Sequence, residues 1–175
     1  MWNRNFLMVV VGQIISLFGN AILRFALPLY LLNETGSAAL FGIVSACAFI
    51  PMIVLSPVGG IFADRVNKRN IMVVLDFATA LLVLVVTLLL GKINLVALLV
   101  GAMFILYGVQ GAYQPAVQAS IPALLQEEHI MQGNAVINLV SSFSSLIGPV
   151  IGGALFGFYG IMPILYVSVV CFLLS

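Results

Sequence analysis

The stretch Gly59-Gly60-Ile61-Phe62-Ala63-Asp64-Arg65-Val66-Asn67-Lys68-Arg69 carries three of the chain's six basic residues and separates two long apolar runs, 38–62 and 71–90. Working outward, four more apolar runs follow the same pattern: 6–32, 95–114, 134–159 and 162–175. Short breaks rich in Gly, Asn, Pro and charge divide them. A membrane-spanning helix needs about 20 residues at a rise of ~1.5 Å each. Five runs meet that length. The sixth has about fourteen residues, so the spacing predicts six transmembrane helices with the last one truncated, and a chain that is a piece of a longer protein.

Composition agrees with a membrane location. Hydrophobic residues make up 63% of the 175 residues and charged residues 6%, with a mean hydropathy of +1.27. A soluble domain carries roughly 25% charged residues, so this chain could not cover itself with a water-compatible surface. In lipid, helices satisfy their own backbone groups. The expected class is therefore an all-α, polytopic membrane helix bundle. A net charge of +1 provides no basic field for nucleic acid. Cys47 and Cys171 both lie in apolar runs and read as small packing residues, not a disulfide or metal pair. The first run is too long for the core of a cleavable signal peptide.

Orientation follows from charge. With a cytoplasmic N-terminus, Arg4, Arg65, Lys68 and Arg69 lie inside and only Lys92 lies outside, as the positive-inside rule requires. In the opening stretch, Gly60 offers a point of close helix approach. Asp64 is placed to face the positive N-terminal end of another helix. Arg65, Lys68 and Arg69 suit an anionic inner membrane surface. A plain positive-inside loop explains the basic residues but not the Gly60–Asp64 spacing. His129, beside Glu127 and Glu128, reads as a solvated loop residue.

The spacing of Gly60, Asp64, Arg65, Lys68 and Arg69 resembles the Gly-x-x-x-Asp-Arg-x-Gly-x-Arg/Lys signature of the major facilitator superfamily, with Asn67 where the family has glycine. Asn tolerates left-handed backbone, so the turn is expected to survive. In helix five, Gly148-Pro149-Val150-Ile151-Gly152-Gly153 is similar to the exporters' Gly-Pro-x-x-Gly-Gly motif. Pro149 bends the helix, and Gly148, Gly152 and Gly153 form a face for close packing. Residues 12–19 with Gln114-Pro115, Ile121-Pro122 and Asn134-Ala135 resemble the macrolide and multidrug efflux branch. The resemblance implies the N-terminal half of a twelve-helix fold with a missing C-terminal half. It also implies proton-coupled efflux of small amphipathic compounds by alternating access in the bacterial inner membrane. The loop would lock the two halves on the cytoplasmic side. One departure stands out. Many proton-coupled exporters carry an arginine three residues before a Gln-Gly pair in helix four; that pair is Gln110-Gly111 here, and Tyr107 stands in the arginine's place.

Helical spacing also groups polar residues inside the apolar runs. Gln13, Ser16, Asn20 and Arg24 share a stripe in helix one. Tyr107, Gln110, Gln114 and Gln118 share one in helix four, and Asn134, Asn138, Ser141 and Ser145 one in helix five. Polar groups in spans face a bundle interior or a wet cavity. The three stripes therefore suggest one central substrate cavity, with interhelical hydrogen bonding as the bland alternative. Arg24 lies about 8 Å past its helix midpoint, where a lone arginine costs at least ~2.5 kcal/mol. It either faces the cavity, where it would allow an anionic substrate, or snorkels outward. Asp76, in helix three, is expected to pair with the basic loop at 65–69, with proton carriage as its other role. No repeat is visible at the level of residue identity; a weak hydropathy symmetry between helices one to three and four to six would fit nested inverted repeats.

The chain has one histidine and lacks the His-Glu-x-x-His, Gly-x-Ser-x-Gly and phosphate-loop patterns. No enzyme activity, metal or cofactor is expected, and energy must come from an ion gradient or a separate subunit. The expected partners are a small-molecule substrate and the lipid bilayer. The rival reading is a small membrane-embedded substrate-binding subunit of a multi-component importer; a non-transporting packing fragment is a third.

Overall fold

The computed structural model describes residues 4–175, apart from the side chains of Asn5 and Asp64. Its elements are α1 (Arg4–Thr35), α2 (Ala38–Cys47), α3 (Phe49–Arg65), α4 (Lys68–Leu89), α5 (Leu95–Leu124), a single 3-10 turn (Glu127–His129), α6 (Ile130–Tyr159) and α7 (Ile161–Leu174). No strand occurs among the described residues. With α2 and α3 taken as one segment, five helices are long and apolar enough to cross a membrane, and α7, at 14 residues, is shorter.

The boundaries depart from the apolar runs where proline acts. Pro51 has no N–H to give the Cys47 carbonyl, and the second run breaks at Ala48 between α2 and α3. In the fourth run the helix passes through Pro115 and Pro122 to Leu124, ten residues beyond the expected stop at 114. Packed neighbours in a bundle tolerate such carbonyl losses. Side-chain caps mark the starts of α2, α4 and α5: Asn94 accepts from the N–H groups of Val96 at 3.0 Å and Ala97 at 3.3 Å. Asn67 works the same way. The expectation of left-handed backbone there is corrected: its φ is −61°, and its side chain caps α4 by accepting from the Arg69 N–H at 3.1 Å.

Packing shows an internal symmetry that residue identity hides. α1 packs on α6 as α3 packs on α5, and α1 packs on α7 as α4 on α5, while α1·α5 and α4·α7 close the bundle. Exchanging the first three spans for the second three maps these pairings onto one another. Glycines set the closest approaches. A Cβ on Gly59 would meet Ala112 Cα at 2.6 Å, and one on Gly111 would meet the Met52 carbonyl oxygen at 2.6 Å. Gly60, one residue on and about 100° away round the helix, has nothing within 4 Å. The close-approach role assigned to Gly60 therefore belongs to Gly59. α1 and α5 hold most of the buried residues, whereas α3 and α6 expose large apolar side chains such as Ile53, Leu146 and Val150. That outward apolar surface suits lipid or another bundle, not water.

Candidate functional site

The exporter-type motif does packing work. A Cβ on Gly148 would run into Ala21, one on Gly152 would meet the Ile22 carbonyl oxygen at 3.1 Å, and one on Gly153 would meet the Phe25 ring at 3.2 Å. Gly148, Gly152 and Gly153 thus seat α6 on residues 21–25 of α1, around Arg24. Pro149, without an N–H, releases the Ser145 carbonyl within that contact.

On its other side α1 meets α5, and polar groups concentrate there. Gln13, Ser16, Asn20, Tyr107 and Gln110 are buried, and Arg24 and Gln114 half-buried. Among the described residues, every buried side-chain nitrogen or oxygen that lacks a hydrogen-bond partner belongs to these two helices. The atoms are Gln13 Nε2 and Oε1, Asn20 Oδ1, Arg24 Nε, Gln110 Oε1, Tyr113 Oη and Gln114 Oε1. A buried polar atom left unpaired costs about 1–3 kcal/mol, which makes this row the candidate site.

The polar stripe of α6 is not part of this seam. Asn138 is exposed, and so are Ser145 and Gln118. Asn134 Nδ2 donates to the Ile130 carbonyl at 3.1 Å, and Ser145 Oγ to the Ser141 carbonyl at 2.9 Å, so these groups are satisfied within their own helix. The buried row of α6 is Gly133, Ile137, Ser144, Gly148 and Gly152, which points Asn138 elsewhere.

Arg24 lies over Tyr107, its guanidinium carbon 4.6 Å from the ring centroid, a cation–π contact. Phe49, just after the Ala48 break, meets the same ring edge-on at 5.0 Å. The guanidinium thus turns into the helix interface, which rules against the outward snorkel.

Asp76 is buried and has hydroxyl partners. Ser16 Oγ donates to Oδ1 at 2.6 Å. The Ser175 hydroxyl, with one proton to give, lies 3.0 Å from Oδ2 and 2.7 Å from the Gly12 carbonyl oxygen. The Tyr113 hydroxyl sits beside the carboxylate without hydrogen-bond geometry. Asp76 makes no ion pair with the loop, which corrects that expectation: Arg65 and Arg69 are exposed, and α4 carries Asp76 about two turns inward from Arg69. Between them lies a cavity of about 400 Å³, with Lys68, Arg69 and Asn67 at one end and Asp76, Tyr113 and Ser175 among its lining. Asp64, central to the loop motif, has a side chain outside the described residues. Tyr113 and Phe49 were missed by the sequence reading. Tyr113 was within reach of it, three residues after Gln110 on a helix already assigned a polar face.

Residues 9–175 match the profile of the Major Facilitator Superfamily. The chain is 27% identical over 169 residues to "Macrolide efflux protein A" of Streptococcus pyogenes, covering 96% of the chain and 42% of that protein. It is 29% identical over 184 residues to "Multidrug resistance protein MdtG" of Salmonella paratyphi C, covering 99% and 44%. With "Multidrug efflux pump Tap" of Mycolicibacterium fortuitum the identity is 25% over 175 residues, covering 97% and 43%. The chain thus spans less than half the length of these relatives. No solved structure gives a significant match. The profile match sets aside the importer-subunit alternative: the chain belongs to the Major Facilitator Superfamily, among whose members its relatives are drug and macrolide efflux proteins.

Proposed function

We propose that this chain is the N-terminal half-domain of a proton-coupled exporter of small amphipathic compounds, working by alternating access with a C-terminal half. The observation that carries the reading is the α1–α5 seam, a row of buried, unpartnered polar atoms through a bundle whose outside is apolar. Gln13, Ser16, Asn20, Arg24, Tyr107, Gln110 and Gln114 form this half's share of the substrate cavity. Asn138, exposed on α6, lines it only from the side presented to the other half.

Asp76 is the carboxylate assigned to the coupling proton. Its hydroxyl partners Ser16 and Ser175 can donate to a carboxylate or accept from a carboxylic acid, so the same shell holds both protonation states. The titratable and charged groups facing it are Tyr113 on α5 and, across the cavity, Lys68 and Arg69. Ser16 ties it to the seam: Asn20 Nδ2 donates to the Ser16 carbonyl at 3.1 Å, and Arg24 lies one turn further on.

The loop of Gly60, Asp64, Arg65, Lys68 and Arg69 latches the two halves at the cytoplasmic side of the inner membrane. In the complete transporter, Asp64→Asn is expected to reduce export of a fluorescent amphipathic dye to near background while membrane expression stays unchanged. Undiminished export by that variant would remove the latch role. Cysteines introduced at Asn67 and Asn33, with Cys47 and Cys171 replaced, should be labelled from opposite faces, Asn67 from the cytoplasm. Labelling of both from one face would refute the topology.

A further inference from the structure

Among the described residues, Arg24 is a cation without a counter-ion. Its place in a substrate cavity rests on the proposed function; the chemistry of the ligand that its charge takes is a separate question. The five acidic residues of the chain are Glu34, Asp64, Asp76, Glu127 and Glu128. Glu34 lies ten residues further along α1, about 15 Å away at the helical rise. Asp76 is held by Ser16, two turns down α1. Asp64, Glu127 and Glu128 flank the far ends of α3 and α5, beyond reach of a side chain rooted at mid-helix. Arg24 makes no hydrogen bond or ion pair among the described residues, and its Nε is buried and unpartnered.

The seat of this charge is built. Tyr107 is buried and meets Phe49 edge-on, and its ring takes one face of the guanidinium. That leaves the guanidinium edge, with its fork of N–H donors, free for an oxyanion. One turn away on each helix, Asn20 and Gln110 are more than nine-tenths buried, each with an unpartnered oxygen. A ligand that brings an anionic group to Arg24 and N–H or O–H donors beside it would satisfy all three. The glycine face of α6 holds residues 21–25 of α1 from the opposite side, so Arg24 is positioned by backbone contact.

The geometry points to an anion-binding subsite at Arg24 and Tyr107 that takes the carboxylate of an anionic amphipathic substrate. The test uses three size-matched amphipathic dyes, a carboxylate, its neutral ester and a cationic amine, with cell accumulation normalised to membrane expression of the complete transporter. Wild type should export the carboxylate dye. Arg24→Gln should lose that export about tenfold or more, as expected for a charge-assisted contact, and lower export of the ester by a clearly smaller factor. Tyr107→Arg added to Arg24→Gln should restore carboxylate export, because the charge returns to the same spot from the other helix. The subsite is overturned if wild type exports the ester but not the carboxylate, or if Arg24→Gln lowers all exported dyes alike. It is equally overturned if the double variant stays defective for the carboxylate while still exporting the ester. Export of none of the dyes by wild type would instead defeat the exporter reading beneath it, and the subsite with it.

Discussion

Gly111→Ala is expected to destabilise the bundle by about 1–3 kcal/mol, the usual cost of forced overpacking. The new methyl would lie 2.6 Å from the Met52 carbonyl oxygen and 3.0 Å from Met52 Cα. Both are backbone atoms, so no rotamer change relieves the clash and α3 must move away from α5. Gly59 meets Ala112 in the same contact, so one displacement opens both approaches. Gly60→Ala is the control: with nothing within 4 Å of its Cβ position, and Ala the better helix former, it should unfold no lower than wild type. Thermal unfolding in detergent, read on equal amounts of inserted protein, separates the two. Equal melting temperatures for both variants would mean that α3 and α5 are not held together by these glycines.

The second large effect is expected at Asp76. Asp76→Asn keeps the volume and an oxygen that can accept from Ser16, so insertion and folding should survive, with a loss near ~1 kcal/mol for the altered hydrogen bonds. The side chain can no longer take up or release a proton. Uphill export in the complete transporter should fall to background, while downhill equilibration of the same compound persists. Loss of both modes would make Asp76 a packing residue, and retention of uphill export would mean that the proton is carried elsewhere.

The apolar runs made the helices legible, because burial in lipid demands long, uninterrupted backbone hydrogen bonding. The polar stripe of α1 was legible too, since spacings of three and four fix which residues share a face. Spacing does not say what that face meets. Asn134, Asn138 and Ser145 have the same periodicity as the α1 stripe, yet α6 turns its glycine row inward, because only that row lets it approach Ala21 and Ile22. The tandem Gly59-Gly60 shows the same limit. Which glycine lies in the contact depends on Gly111 and Ala112, about fifty residues away in sequence. Asp76 was read against the nearest charges in sequence, whereas its partners Ser16 and Ser175 come from α1 and the end of the described chain. Asn67 was judged by the backbone conformation of the glycine it replaces, but its amide oxygen offered a cap that fixes the turn without positive φ.

The central claim is that the complete protein exchanges an amphipathic compound for protons. Inside-out membrane vesicles, acidified internally by respiration and followed with a ΔpH-sensitive fluorophore, test it directly. Addition of a transported compound should partly dissipate the gradient in wild-type vesicles, as protons leave in exchange. Vesicles carrying Asp76→Asn should hold their gradient on the same addition. A gradient left untouched by a compound that the wild-type vesicles demonstrably accumulate would contradict proton coupling, and failure to accumulate any amphipathic compound would contradict export itself.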